Sequence, residues 1–144
     1  MQPFVFNTVP QLVCQPGSAL ALAERCRSLG IRRPLLVTDP GLLAIGLVQP
    51  VQAALEAAGV QVALYDQVRE DPPEATVEAA AARGRGAEVD GVIAVGGGSS
   101  MDVAKVVAVL LAGTQPLQAL YGVDQVAGGR LPLILVPTTA GTGS

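Results

Sequence analysis

Gly91-Val92-Ile93-Ala94-Val95-Gly96-Gly97-Gly98-Ser99-Ser100-Met101-Asp102 is the stretch on which the fold turns. Gly91 to Val95 reads as a strand covered on both faces, and Gly96, Gly97 and Gly98 follow. Val103, Ala104, Val106, Val107, Leu110 and Leu111 then fill the apolar side of a helix over Ser99 to Leu111. A strand that runs through glycine into a helix opens a βαβ unit, because a parallel crossover needs a connection of about a dozen residues or more. Three adjacent residues without Cβ let backbone N–H groups approach an anion, and the helix start adds partial positive charge. A diphosphate is the natural tenant of such a turn; the plainer alternative is a tight strand-to-helix connection and no more. Ser99 reads as the helix N-cap, with Asp102 three positions on completing a variant of the capping box. The turn is neither a GxGxxG fingerprint nor a Walker A loop, since Lys105 lies too far into the helix.

Outward from this stretch the same alternation repeats. Apolar positions at helical spacing run from Ala19 to Leu29 and stop at Gly30, and Leu35 to Val37 is a compact buried strand. Leu42 to Ala58 reads as a second helix, with Pro50 marking a break or the first turn of a separate piece, closed by Gly59. Val60 to Tyr65 is a strand, Glu74 to Arg85 a helix with Gly86 just beyond it, and Leu131 to Val136 the last strand. Phe4 to Phe6 and Leu12 to Cys14 suit a hairpin at the edge. The expected architecture is α/β: a doubly wound, mostly parallel, Rossmann-like sheet with an N-terminal edge hairpin, in one dinucleotide-binding domain over residues 1–144. In such sheets ligands bind beyond the carboxyl ends of the strands.

Composition narrows the partners. Half of the 144 residues are apolar and 15% are charged, which excludes a disordered chain and suits a sheet buried on both faces. A net charge of −3 leaves no basic stripe for nucleic acid and nothing for an anionic membrane. Cys14 and Cys26, with no histidine anywhere, give neither a zinc ligand set nor a disulfide framework, and two reduced cysteines fit a cytoplasmic protein. The N-terminus carries no basic stretch followed by an apolar core, so no signal peptide is expected. Val103 to Ala112, interrupted by Lys105, is too short to span a bilayer.

Two further strand ends carry candidate chemistry. Asp39, in Thr38-Asp39-Pro40-Gly41-Leu42, puts a carboxylate at the same sheet edge as the glycine turn. It can accept two hydrogen bonds from a ribose diol and repel the extra phosphate of NADP, or it can cap the helix that starts near Leu42. It precedes the glycine turn, whereas the usual dinucleotide fingerprint places its acid about twenty residues after. Pro137-Thr138-Thr139-Ala140-Gly141-Thr142-Gly143-Ser144 offers hydroxyls and amides to a polar ligand.

Taken together, Gly96-Gly97-Gly98-Ser99 with Asp102 and Lys105, the Thr138 to Ser144 turn, and Asp39 resemble the N-terminal signatures of iron-containing (group III) alcohol dehydrogenases. The resemblance runs over essentially the whole chain. It implies an NAD(H)-binding domain of an oxidoreductase that interconverts an alcohol with an aldehyde or ketone. Gly97, Gly98 and Ser99 would then hold the pyrophosphate, with Asp102 beside it, and Asp39 the adenosine ribose; Thr138, Thr139 and Thr142 would face the adenine and nicotinamide sides. NAD would be preferred over NADP. The family's complete enzymes bind iron, sometimes zinc, through an aspartate and three histidines in a helical second domain, which this histidine-free chain is expected to lack. No catalytic or metal-binding residue is therefore assigned, and the chain alone is expected to be inactive. The resemblance extends to glycerol dehydrogenases and maleylacetate reductases, and a non-catalytic nucleotide-binding module is a third possibility. Where relatives often carry asparagine between prolines, this chain has Asp71-Pro72-Pro73, and no coenzyme contact is carried over to that loop. The first strands, Phe4 to Phe6, could pair a second subunit into a homodimer.

Overall fold

The computed structural model describes residues 9–140. A 3₁₀ turn, Ser18–Ala21, leads into α1 (Leu22–Ser28), followed by β1 (Pro34–Val37), α2 (Pro40–Ala44), α3 (Gln49–Ala57) and β2 (Ala63–Tyr65). Then come α4 (Glu74–Gly86), β3 (Gly91–Gly96), α5 (Gly98–Ala112), a second 3₁₀ turn (Leu117–Leu120) and β4 (Leu133–Pro137). All strand pairs are parallel, in the order β2-β1-β3-β4. The alternation read from the sequence is thus realised as a Rossmann-like sheet with helices on both faces.

Strand side chains alternate between two cores. Leu35, Val37, Val92 and Ala94 meet α4 and α5 through Val77, Ala80, Ala81, Val103, Ala104 and Val107. Leu36, Ile93 and Val95 meet α1 and α3 through Leu22, Cys26, Val51 and Leu55. Each Val, Leu or Ile side chain buried this way contributes about 1.5–3 kcal/mol. Since β2 lies on one side of β1 and β3 on the other, the winding reverses between β1 and β3. That reversal leaves a crevice beyond their carboxyl ends, the place where open α/β sheets bind ligands.

Helix closure explains where the sequence reading held and where it slipped. In α1 the amide of Ile31 donates to the Cys26 carbonyl at 2.8 Å, with Gly30 at φ 73. In α3, Val60 donates to Leu55 at 3.1 Å with Gly59 at φ 84. Both are six-to-one closures with an apolar residue after the glycine, and Ile31 and Val60 are buried. In α4 the same bond runs from Val89 to Gly84 at 3.2 Å, but the left-handed residue is Glu88, at φ 50. Gly86 is therefore the last helical residue and not the stop that its identity suggested.

Pro50 does open a separate piece: α2 ends at Ala44, and α3 starts with Pro50 in its first turn. β2 is shorter than the Val60 to Tyr65 reading, because Val60 belongs to the closure of α3. Of the expected edge hairpin, Phe4 to Phe6 lies outside the described residues, and Leu12 to Cys14 is an exposed coil. A strand needs a neighbour for its backbone groups, and among the described residues none runs beside it.

The opposite end of the sheet is tied by Asp90, whose carboxylate accepts from the Arg32 amide at 3.0 and 3.1 Å and the Arg33 amide at 2.8 Å. Nearby, burial pushes the Cys26 thiol above its ordinary value, and the charge of Asp90 adds to the shift. Cys14 is exposed. Iodoacetamide at neutral pH is expected to label Cys14 and spare Cys26 until the chain unfolds, which mass spectrometry reads directly; native labelling of both would refute the burial. A thiol raised on folding contributes fully below the ordinary value of 9.0. Stability should therefore fall as pH climbs from there through the raised value, because the unfolded chain loses its proton first.

Candidate nucleotide-binding cleft

At the carboxyl ends of β1 and β3 a cleft of about 400 Å³ is lined by Asp39, Pro40, Val68, Arg69, Glu70, Gly97, Gly98, Ser99 and Ser100. A second cavity of about 430 Å³, between Arg33, Glu56, Gln61 and Arg83, lies at the opposite end of the strands, where two helices present their carbonyl ends. The first is where the topology puts a ligand.

The turn that forms its floor is built by close packing. Gly96, Gly97 and Gly98 all keep φ out of the left-handed region, so conformational freedom does not account for them. At Gly96 space does: a Cβ there would stand 2.6 Å from Ser100 Cβ and Oγ. Gly96 is thus required by the strand-to-helix packing itself, the plainer of the two readings of the turn. Gly97 differs, since a Cβ there would meet Thr139 at an ordinary 3.5 Å.

Gly97, extended at φ −80 and ψ −168, is the N-cap of α5, with no side chain capping the helix. Its carbonyl accepts from Met101 at 3.1 Å. The amides of Gly98, Ser99 and Ser100 find no acceptor among the described residues. Orphan donors at a helix start are ordinarily met by a cap, water or an anion. Here they line the cleft at the positive end of a fifteen-residue helix.

The capping box expected of Ser99 and Asp102 does not form, because the helix starts one residue before Ser99 and leaves both side chains inside it. Asp102 is exposed, pairs with Lys105 at 2.9 Å, and does not line the cleft. Ser99 does line it.

Asp39 follows β1 and caps α2, its Oδ1 accepting from the Leu42 amide at 2.9 Å. Capping and ribose contact, posed as alternatives, are compatible: a carboxylate has about four acceptor sites, and this one stays half-buried in the cleft wall. Thr38 was missed by the sequence reading as more than a turn residue. It is fully buried, with its hydroxyl donating to the Val95 carbonyl at 2.8 Å and its amide to Tyr65 at 2.9 Å. Its carbonyl accepts from Val68 at 3.3 Å. Thr38 therefore holds the ends of β1, β2 and β3 in one frame and sets Asp39 beside the glycine turn. Thr138 joins that frame through its amide, which donates to the Gly96 carbonyl at 2.9 Å, and Thr139 stands beside Gly97. Thr142 lies outside the described residues.

The sheet and the cleft at its carboxyl edge define a Rossmann-like α/β unit, and comparison with known proteins places it. The chain belongs to the iron-containing alcohol dehydrogenase family, whose sequence model matches residues 10–144. It is 44% identical over 132 residues to the 4-hydroxybutyrate dehydrogenase of Cupriavidus necator, covering 89% of this chain and 34% of that protein. Among solved structures, a 1,3-propanediol oxidoreductase superposes with a TM-score of 0.84 at 34% identity, over 89% of this chain and 34% of that one. The sulfoacetaldehyde reductase of Bifidobacterium kashiwanohense, solved in complex with NAD⁺, gives 0.79 at 28% identity, over 88% and 34%. The chain thus spans about a third of the length of the relatives it matches.

The residues present do not fit the family's metal. The sequence has no histidine, and the described residues contain no cluster of three or more His, Cys, Asp or Glu. They do fit a dinucleotide: unpaired amides, a carboxylate for a diol, and a volume within the roughly 300–1,000 Å³ of ordinary ligand sites. No helix among the described residues is long and apolar enough to cross a membrane.

Proposed function

We propose that residues 1–144 are the coenzyme domain of an NAD-dependent oxidoreductase that interconverts an alcohol and an aldehyde or ketone by metal-assisted hydride transfer. The observation that carries the reading is the set of unpaired Gly98, Ser99 and Ser100 amides facing the same cleft as Asp39. The amides and the Gly97 backbone hold the diphosphate, with Thr138, Thr139 and Thr142 on the adenine and nicotinamide sides. The Asp39 carboxylate accepts from the adenosine diol and so prefers NAD(H) over NADP(H). When bound, the nicotinamide ring supplies the hydride acceptor or donor. This chain's residues bind and orient it; iron or zinc, and the alcohol, are held by parts of the enzyme outside these residues. The chain alone is inactive. Both cysteines are free thiols, in keeping with a cytoplasmic setting, and pairing of two subunits through residues 4–6 belongs to the same proposal.

Calorimetric titration of the chain with NADH and NADPH tests this. NADH should bind, more tightly than NADPH, and an absence of NADH binding at saturating concentration would sink the reading. Asp39→Asn keeps an oxygen to cap Leu42 but removes the charge. It should cut the preference for NADH by roughly tenfold, about 1.4 kcal/mol, while melting at nearly the same temperature. An unchanged preference would remove Asp39 from coenzyme discrimination.

A further inference from the structure

Arg69 was given no part in the sequence reading, yet it lines the cleft together with Asp39 and the glycine turn. It sits in the loop after β2, and the strand order β2-β1-β3 fixes where along the cleft that loop falls. The unpaired amides stand at the end of β3, Asp39 at the end of β1, and Arg69 beyond Asp39 on the β2 side. A nucleotide whose diphosphate lies on the amides and whose ribose diol meets Asp39 therefore extends towards Arg69.

The charges in this corner are Asp39, Glu70 and Arg69, with Asp66 next to β2. Arg69 nonetheless forms no ion pair or side-chain hydrogen bond among the described residues, where the single ion pair is Lys105 with Asp102. Its guanidinium keeps five N–H donors in a planar fork, the geometry that matches phosphate in a bidentate fashion. A phosphate monoester on the ribose 2′ oxygen would carry its charge away from the Gly98 to Ser100 amides and next to Asp39, where only this cation can answer it.

We propose that Arg69 is a second anion-binding group of the cleft, which receives a phosphate monoester on the adenosine ribose and lets the chain accept NADP(H) alongside NAD(H). Asp39 disfavours that phosphate and Arg69 favours it, so the discrimination is the balance of the two. This rests on the coenzyme reading above, and the probes separate the two claims.

The chain and its Arg69→Gln and Arg69→Lys variants are titrated calorimetrically with four ligands: NADH, NADPH, ADP and adenosine 2′,5′-bisphosphate. The glutamine variant should bind NADPH and the 2′,5′-bisphosphate roughly tenfold more weakly, with NADH and ADP within about twofold. Lysine, a point charge without the fork, should restore part of the loss. Because Arg69 is exposed, neither substitution removes packing that the fold depends on. Equal weakening of all four ligands would assign Arg69 to the diphosphate and overturn the proposal, and no change in any of them would leave it a surface cation. NADH and ADP binding without any response of the 2′-phosphorylated ligands to Arg69→Gln sinks this inference alone. No binding of NADH or ADP to the unsubstituted chain sinks the coenzyme reading and this one with it.

Discussion

A Gly97→Asp chain is expected to lose coenzyme binding by about a hundredfold or more while its melting temperature holds or rises. The opposite signs make the result diagnostic. Gly97 is extended, with φ and ψ that any residue adopts at an N-cap, and a Cβ there meets only Thr139 at van der Waals distance. Aspartate is among the best N-cap residues, so its carboxylate can accept from the amides that now lack partners, adding roughly a few tenths of a kcal/mol over glycine. The same carboxylate would then occupy the place given to the diphosphate and repel it. A loss near 3 kcal/mol corresponds to the hundredfold weakening. Calorimetry with NADH and a thermal melt of the same sample decide it. Should Gly97→Asp bind NADH as the unsubstituted chain does, the diphosphate is not on this helix start.

Gly96→Ala should do the reverse, lowering stability first and binding only as a consequence. The added methyl would sit 2.6 Å from Ser100 Cβ and Oγ, with both residues buried between β3 and α5. A side chain on the next helical turn cannot swing away when its own Cβ is the obstacle, so β3 and α5 must separate. Overpacking of this kind costs about 1–3 kcal/mol, which for a chain of this size lowers the melting point by several degrees. Melting within a degree of the parent would show that the turn is looser than described.

The features legible in the sequence are those whose signals are local. Leu35 to Val37 and Gly91 to Val95 were readable because a strand covered on both faces has to be apolar throughout. Gly30 and Gly59 marked helix ends because a six-to-one closure needs a left-handed residue. The same rule misled at Gly86, where Glu88 takes the left-handed position, at a cost of about 1–2 kcal/mol. Ser99 and Asp102 carry a capping spacing, yet Gly97 starts the helix, since the strand and the packing of Gly96 on Ser100 fix where the chain turns.

Of the site, Asp39 and the glycine turn could be named from residue type, but their adjacency could not. Nothing in the sequence says that β3 lies beside β1 and not beside β2. For the same reason Arg69 and Thr38 were invisible: each acquires meaning from the ends of three strands brought together, a property of no single stretch.

The bond from the Leu42 amide to Asp39 Oδ1 has a historical corollary. On the proposed reading one side chain both starts a helix and screens the coenzyme, so a lineage drifting toward the other coenzyme cannot treat the position as free. Alanine or leucine there would lose the helix start, whereas serine, threonine or asparagine would relax the screen and keep it. Changes of coenzyme among close kin should therefore pass through that short set of small polar residues, and surveying the position across kin of known preference would reveal whether they do.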